Sequence, residues 1–342
     1  MNQFFIHDYF KDQVEETARI GRITRTAQDI YTVRTETDSY TATVSGKFRY
    51  DAEVSQVWPA IGDWVVYEPF DQDKARIDRV LNRRTVLSRK AAGTGNDEQI
   101  IAANVDAVFI VTSLVKEFNV QRIERYVMQV YESGATPAIV CTKRDLCDDV
   151  KNKITQIERH APGVPVYTVN SLDGSGIDRL EQELIAGETI SLIGSSGVGK
   201  STLINRLLGE AIQQTEQVRE EDGRGRHTTT HRELFSLSNG TVVIDTPGMR
   251  ELQLFGESAN VDAAFSDIEQ LSLQCRFRDC SHDKEPGCAV TKAIEVDELP
   301  FARLKNYNKM LREVERLNLK DKYGTHRTNR ILHGSNAKKG QM

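Results

Sequence analysis

The sequence predicts a multidomain protein with three parts: a small β-barrel, an α/β domain built on a parallel sheet, and a small α-helical domain organised by a metal. Three observations carry this expectation. Short strand patterns crowd the stretch from Ile20 to Ser88, buried strands and amphipathic helices alternate from Asp106, and three cysteines cluster with a histidine at Cys275, Cys280, His282 and Cys288. A chain of 342 residues has length for two or three cores. With 39% hydrophobic and 28% charged residues the composition is globular, and no apolar run approaches the roughly 20 residues of a membrane span, so no membrane role is expected. The opening Met1-Asn2-Gln3-Phe4-Phe5-Ile6 lacks the basic region and apolar length of a signal peptide, which predicts a cytoplasmic chain.

In the first part, β-formers alternate at Ile30 to Arg34, Tyr40 to Val44, Trp64 to Tyr67 and Arg76 to Val80, with no long helical stretch between them. Five or so strands in such a span suit a closed barrel, for which an OB-fold is one solution, and Asp8 to Thr17 reads as a helix over its mouth. Basic residues (Arg22, Arg25, Arg34, Lys47, Arg49, Arg76, Arg79, Arg83, Arg84, Arg89, Lys90) interleave with Tyr31, Tyr40, Phe48, Tyr50 and Trp64. That mixture suits a nucleic-acid platform, the other reading being aromatics that fill a small barrel and charges that solubilise it. Ala91-Ala92-Gly93-Thr94-Gly95 reads as a linker, giving an expected barrel domain over 1–92.

The second part, expected over 93–254, runs strand-helix-strand: Ala107 to Thr112, Val120 to Tyr131, Ala138 to Thr142, Val164 to Val169, Ile177 to Ile185 and Thr189 to Ile193. Such alternation predicts a parallel sheet with ligands beyond the carboxyl ends of its strands. There the strand Thr189 to Ile193 enters Gly194-Ser195-Ser196-Gly197-Val198-Gly199-Lys200-Ser201, and a helix follows from Thr202. Strand, glycine loop and helix make a P-loop, in which backbone N–H groups cradle phosphates, Lys200 reaches the β- and γ-phosphates and Ser201 ligates Mg²⁺.

Guanine rather than adenine is indicated by Thr142-Lys143-Arg144-Asp145, close to N-K-x-D. The Asp145 carboxylate can take two hydrogen bonds from guanine that adenine cannot reproduce, while the Lys143 stem packs on the base. Asn170-Ser171-Leu172 resembles a second guanine-contacting segment, with Ser171 at its centre. Further on, Asp245-Thr246-Pro247-Gly248 offers Asp245 to Mg²⁺ through water and the Gly248 N–H to the γ-phosphate, and the loop Gly223 to Thr230 can supply Thr229 to Mg²⁺. The base-reading segments precede the phosphate loop, the reverse of the ordinary GTPase order, so the GTPase domain is predicted to be circularly permuted.

The third part, 255–342, holds the Cys275-x4-Cys280-x-His282-x5-Cys288 spacing, three thiolates and an imidazole suited to one closed, structural zinc site. Helical patterns at Val290 to Ile294 and Phe301 to Leu317 are expected to pack around it. Net charge is −5, yet beyond Leu319 six Lys or Arg face Asp321 alone. This basic end is either a solvated terminus or an arm that orders on a phosphate backbone.

These features together closely resemble the ribosome small-subunit-dependent GTPase A family, also called RsgA or YjeQ. The residues that carry the resemblance are Ile61-Gly62-Asp63-Trp64-Val65, the permuted motifs, Gly225-Arg226-His227-Thr228-Thr229-Thr230 and the zinc spacing. It implies an OB-fold, a permuted G domain and a zinc-finger domain gripping RNA of the small ribosomal subunit, in a monomer that meets other assembly factors late in subunit maturation. It further implies GTP hydrolysis to GDP that is slow alone, is stimulated by the subunit and accompanies release. Met249 stands where many GTPases carry a water-orienting Gln, and His227 resembles the family histidine proposed to take that role. Two other readings stay open: a nucleotide-gated RNA-binding module in which hydrolysis has no part, and an enzyme acting on RNA or tRNA.

Overall fold

The computed structural model describes residues 6–27, 29–55, 58–90, 98–115, 118–209, 232–245, 261, 264–283 and 285–333. The chain separates into two compact units, one comprising Met1–Phe118, Ser133–Val150 and Pro165–Leu252, the other Asn119–Glu132, Lys151–Val164 and Gln253–Met342.

The first unit contains a closed five-stranded barrel formed by β1 (Ile20–Ala27), β2 (Ile30–Arg34), β3 (Ser39–Val44), β4 (Trp64–Pro69) and β5 (Lys74–Val80). Strand order is β1-β2-β3-β5-β4, closed by β4 on β1, with β3 and β5 parallel and the remaining pairs antiparallel. This is an OB-like arrangement. Ile23, Val33, Ala42, Val65 and Ile77 alternate inward to fill it. Before it, α1 (Asp8–Lys11) is one turn, shorter than the helix expected to Thr17, and seats Phe10 against Trp64 and Leu81.

A ten-residue helix, α2 (Gly46–Ser55), lies between β3 and β4, where no long helical stretch was expected. Its sequence signal is slight: the Ser45 hydroxyl accepts the Phe48 N–H as an N-cap, and Phe48 and Ala52, four apart, are its buried contacts with the barrel core. The aromatics of the proposed nucleic-acid platform divide, since Tyr31, Phe48 and Trp64 are core while Tyr50 is exposed. Two of its cations are internal as well. Arg83 clamps the fully buried Asp63 with bonds of 2.8 and 2.7 Å, and Arg22 is buried.

The α/β sheet adds β8 (Ala107–Ser113), β9 (Thr136–Thr142), β10 (Val166–Thr168), β11 (Thr189–Ile193), β12 (Arg232–Ser236) and β13 (Val242–Asp245), after a hairpin of β6 (Val86–Lys90) and β7 (Glu98–Ala103). Strands β10, β9, β8, β11 and β13 run parallel in that order, and antiparallel β12 follows β13. β12 then pairs with barrel strand β1, so eleven strands form one sheet. Val111, Val140 and Leu192 of this sheet share an apolar cluster with Leu180 of α5 (Ile177–Glu181) and with Leu203 and Leu207 of α6 (Lys200–Leu208).

The second unit contains α3 (Val120–Glu132), α4 (Val150–His160, which starts in the first unit), α7 (Ser266–Ser272), α8 (Ala289–Glu295) and α9 (Phe301–His333). Helix α9 runs well past the expected end at Leu317, to His333, and so takes in the basic residues from Lys320 to Arg330; Lys338 and Lys339 lie outside the described residues. At the unit's centre Arg303, with no exposed surface, donates two bonds to Asp267 (2.6 and 2.7 Å), one to Glu124 (3.2 Å), and others to the Ala264 and His160 carbonyls. Its guanidinium stacks 4.6 Å from the Phe265 ring centroid. No helix among the described residues is long and apolar enough to cross a membrane.

Candidate nucleotide site and metal centre

Because β8, β9, β10, β11 and β13 are parallel, their carboxyl ends fall on one sheet edge. Thr142 ends β9, the Gly194 loop follows β11, Asn170 and Ser171 follow β10, and Asp245 ends β13. The permuted chain order is thereby folded back into one site. Within it the base-side segment is bonded to the phosphate loop. The Thr142 hydroxyl lies 2.5 Å from the Val198 carbonyl and 3.2 Å from that of Thr112, and its single hydrogen favours the shorter contact. Lys143 adopts a left-handed backbone (φ 57°), and its ammonium donates to the Gly197 carbonyl at 2.8 Å. Arg144, Asp145 and Leu146 form a single 3₁₀ turn, with Asp145 exposed at the edge.

The phosphate loop takes its shape from glycines. Gly194 has φ +145°, and a Cβ there would lie 2.2 Å from the Val111 carbonyl oxygen. Val198 is buried among Leu203 and Leu192 and pins the loop, Ser195 and Ser196 lie on its outer part, and Gly199 (φ 102°) opens α6. Lys200 bonds the Gly194 and Ser195 carbonyls at 2.7 and 2.8 Å, which folds its ammonium into the cradle, with Ser201 and Thr202 in the first turn of α6. Backbone donors, a lysine and a helix N-terminus around one cradle fit a polyphosphate.

The Asn170 loop is braced from within. Asp173 accepts from Asn170 Nδ2 (2.8 Å) and Ser175 N (2.7 Å), and the Ser175 amide in particular holds the Asp173 carboxyl below its ordinary range. The buried Ser171 hydroxyl oxygen has no hydrogen-bond partner among the described residues. His227, Thr229 and Gly248 lie outside the described residues, as does the linker Ala91 to Gly95; Asp245 is described through its backbone pairing with Glu233.

In the second unit, the ligand atoms of Cys275, Cys280, His282 and Cys288 lie within 4.8 Å of one another. A tetrahedral zinc ion, with Zn–S near 2.3 Å and Zn–N near 2.0–2.1 Å, sets its ligands about 3.8 Å (S···S) and about 3.5 Å (S···N) apart. The observed separations are 3.9 Å for Cys275–Cys288 and 3.7 and 3.5 Å from His282 Nδ1 to those two sulfurs. The donor set and its spacing thus fit zinc. Backbone N–H groups of Ala289 and Thr291 point at the Cys275 and Cys288 sulfurs (3.4 and 3.3 Å). Burial would raise the Cys288 thiol, but hydrogen bonds from Thr291 and His282 outweigh it and bring it down to about 6.

Sequence reading missed Glu285, whose carboxylate accepts from Ser281 N and Oγ and Asp283 N (3.0, 2.5 and 3.0 Å) and so shapes the loop carrying His282 at φ 60°. A carboxylate between the histidine and the last cysteine is the signal that was available.

Fold and site together define a P-loop GTPase with permuted motifs, preceded by an OB-like barrel and followed by a Cys3His centre. A family model described as RsgA GTPase matches residues 80–255. The Lactiplantibacillus plantarum protein named small ribosomal subunit biogenesis GTPase RsgA 2 is 45% identical over 304 residues, covering 89% of this chain and 86% of that one. A Vibrio parahaemolyticus protein of the same name is 48% identical over 272 residues, covering 80% and 75%. Among solved structures, YjeQ from Thermotoga maritima is similar with a TM-score of 0.66 at 27% identity, covering 86% of this chain and 98% of that one. YloQ, described as a circularly permuted GTPase, gives 0.63 at 25% identity, covering 91% and 98%. The chain belongs to the RsgA GTPase family and is a GTP hydrolase.

Proposed function

We propose that this GTPase binds the small ribosomal subunit through its rRNA, assists late maturation of that subunit, and couples subunit-stimulated GTP hydrolysis to its own release. The observation that carries the reading is the bonding of Thr142 and Lys143 to the phosphate loop, which makes base and phosphate recognition one rigid edge. The subunit enters through the relatives, which are named small ribosomal subunit biogenesis GTPases. RNA contact is further supported by exposed Arg25, Arg34, Lys47, Arg49 and Tyr50 on the barrel, with Lys47, Arg76 and Arg79 lining an open groove between α2 and β5.

In this reading Asp145 takes two hydrogen bonds from guanine, the Lys143 stem covers the base, Arg144 stands between them in the same turn, and Ser171 closes the far side. Backbone N–H groups from Gly194 to Thr202 hold the phosphates, and Lys200 neutralises the β,γ-bridge. Mg²⁺ bound with GTP would supply charge neutralisation on the phosphates, with Ser201, Thr229 and, through water, Asp245 holding it. His227 orients the attacking water, and the Gly248 N–H senses the γ-phosphate. Zinc at Cys275, Cys280, His282 and Cys288 is structural, since four protein ligands leave no open position. The protein acts as a cytoplasmic monomer alongside other assembly factors, with domains over 1–92, 93–254 and 255–342.

The test is GTP hydrolysis by the purified protein with and without small subunits, using large subunits and ATP as controls. Stimulation by small subunits and GTP alone supports the proposal, and equal rates in all arms refute it.

A further inference from the structure

Barrel strand β1 is bonded to the GTPase sheet at both of its ends. Near its start, Arg22 is buried, and its guanidinium donates to the Thr189 hydroxyl (2.7 Å), the Gly62 carbonyl (3.3 Å) and the Asn104 carbonyl (3.4 Å), 5.4 Å from the Trp64 ring centroid. Thr189 is the first residue of β11, the strand that runs into the phosphate loop. Near its other end, Arg25 and Thr26 pair with Glu233 and Arg232 of β12, and Glu233 in turn pairs with Asp245 of β13. Between the two attachments the β1–β2 register shifts at Thr24, a bulge after which β1 stays paired with β2 on one edge while its other edge passes from β4 to β12. β1 pairs with β4 only as far as Arg22, so the strand forks where the buried cation sits.

A buried guanidinium held chiefly by two carbonyls and a hydroxyl is a costly arrangement. Burial lowers Arg22 to about 10, with the fields of Asp106 and Asp63 opposing, so it stays charged at neutral pH. A methionine or leucine would fill the volume more cheaply, but would not fix the strand's position relative to Thr189.

We propose that Arg22 is a positioning residue for stimulated hydrolysis: by fixing β1 to Thr189 it transmits load on the barrel to β11 and β12, and through them to the phosphate loop and Asp245. The inference rests on the reading above, in which the barrel meets the subunit. It assigns Arg22 no contact with nucleotide or RNA.

The experiment uses the full-length zinc-loaded protein and three variants. Thr189→Val removes the acceptor at nearly constant volume, Thr189→Ser keeps it, and Arg22→Met removes the donor. Intrinsic hydrolysis, GDP affinity, thermal unfolding and small-subunit stimulation are measured for each, alone and for the Arg22→Met/Thr189→Val pair. The expected result is intrinsic turnover and GDP affinity within about twofold of the parent, stimulation reduced about tenfold in Thr189→Val and Arg22→Met, and a pair no worse than the stronger single change. Thr189→Ser retains stimulation.

Folded Thr189→Val that keeps its stimulation overturns the inference, as does a pair whose losses multiply, because residues acting through one bond cannot be independent. If Arg22→Met does not fold, Thr189→Val against Thr189→Ser decides by itself. Absence of stimulation in the parent protein would instead overturn the subunit reading on which this rests.

Discussion

Replacing Thr142 by valine removes one hydroxyl and keeps the shape of the side chain. Thr142 is 2% exposed, and its hydroxyl lies 2.5 Å from the carbonyl of Val198, a residue that is itself 3% exposed. Losing that hydrogen bond and leaving a largely buried carbonyl short of a donor together cost about 1–3 kcal/mol. At about 1.4 kcal/mol per decade, this corresponds to a fall of about 5- to 150-fold in GDP affinity if the cost is borne by the loop's binding conformation. Equilibrium titration with a fluorescent GDP analogue, with thermal unfolding measured in parallel, separates lost affinity from lost stability. Thr142→Ser retains the donor and should bind within about threefold of the parent, since only a methyl contact is lost. A valine variant that binds GDP within about twofold of the parent and melts at the same temperature would refute the bracing argument.

Other expectations follow from the same structure. Arg303→Ala takes the guanidinium from buried Glu124, which keeps His160 and Asn306, and from half-buried Asp267, so urea unfolding should show a loss of about 3–5 kcal/mol; a loss below about 1 kcal/mol would mean the network relaxes around the gap. Burial pushes the Cys141 thiol up to about 12, so its thiolate stays scarce at any pH below that value; iodoacetamide at pH 8 should modify Cys147 and spare Cys141, as peptide mass mapping would report. Chelation should remove one zinc equivalent and loosen the loop from Cys275 to Cys288, read as faster amide exchange at Ala289 and Thr291, whose N–H groups point at ligand sulfurs. Unchanged exchange there after complete metal loss would show that the loop holds its shape without the ion.

The glycine loop, the Cys-His spacing and the parallel strands were legible because each is a local pattern whose physics is complete within a few residues. Strands such as Ile30–Arg34 and Thr189–Ile193 have the bounds their β-formers suggest. Helix α2 was hidden because Ser45, Phe48 and Ala52 mark it only once a barrel is there for two apolar side chains to enter. Arg22 read as a surface cation for the same reason: its acceptors at 62, 104 and 189 are scattered through the sequence. Strand β12 has little apolar alternation of its own and becomes a strand through its neighbours β13 and β1. Long-range pairing and buried cations are set by topology, which a linear pattern does not carry.

The junction of β12 with β1 also has a history in time. Thr26 and Arg232 are 206 positions apart, so at about 5–20 residues per second the ribosome needs about 10–40 s to deliver the second strand after the first. The barrel strands are all made by residue 80, and during that wait the rung at Arg25 and Thr26 is an unpaired edge. An unpaired edge invites any extended segment, including the same rung of a neighbouring nascent chain. A fragment ending after the barrel keeps that edge indefinitely, and one that begins after the barrel bares β12 instead. Cutting the chain between barrel and GTPase therefore creates two aggregation-prone surfaces where the intact protein has a continuous sheet.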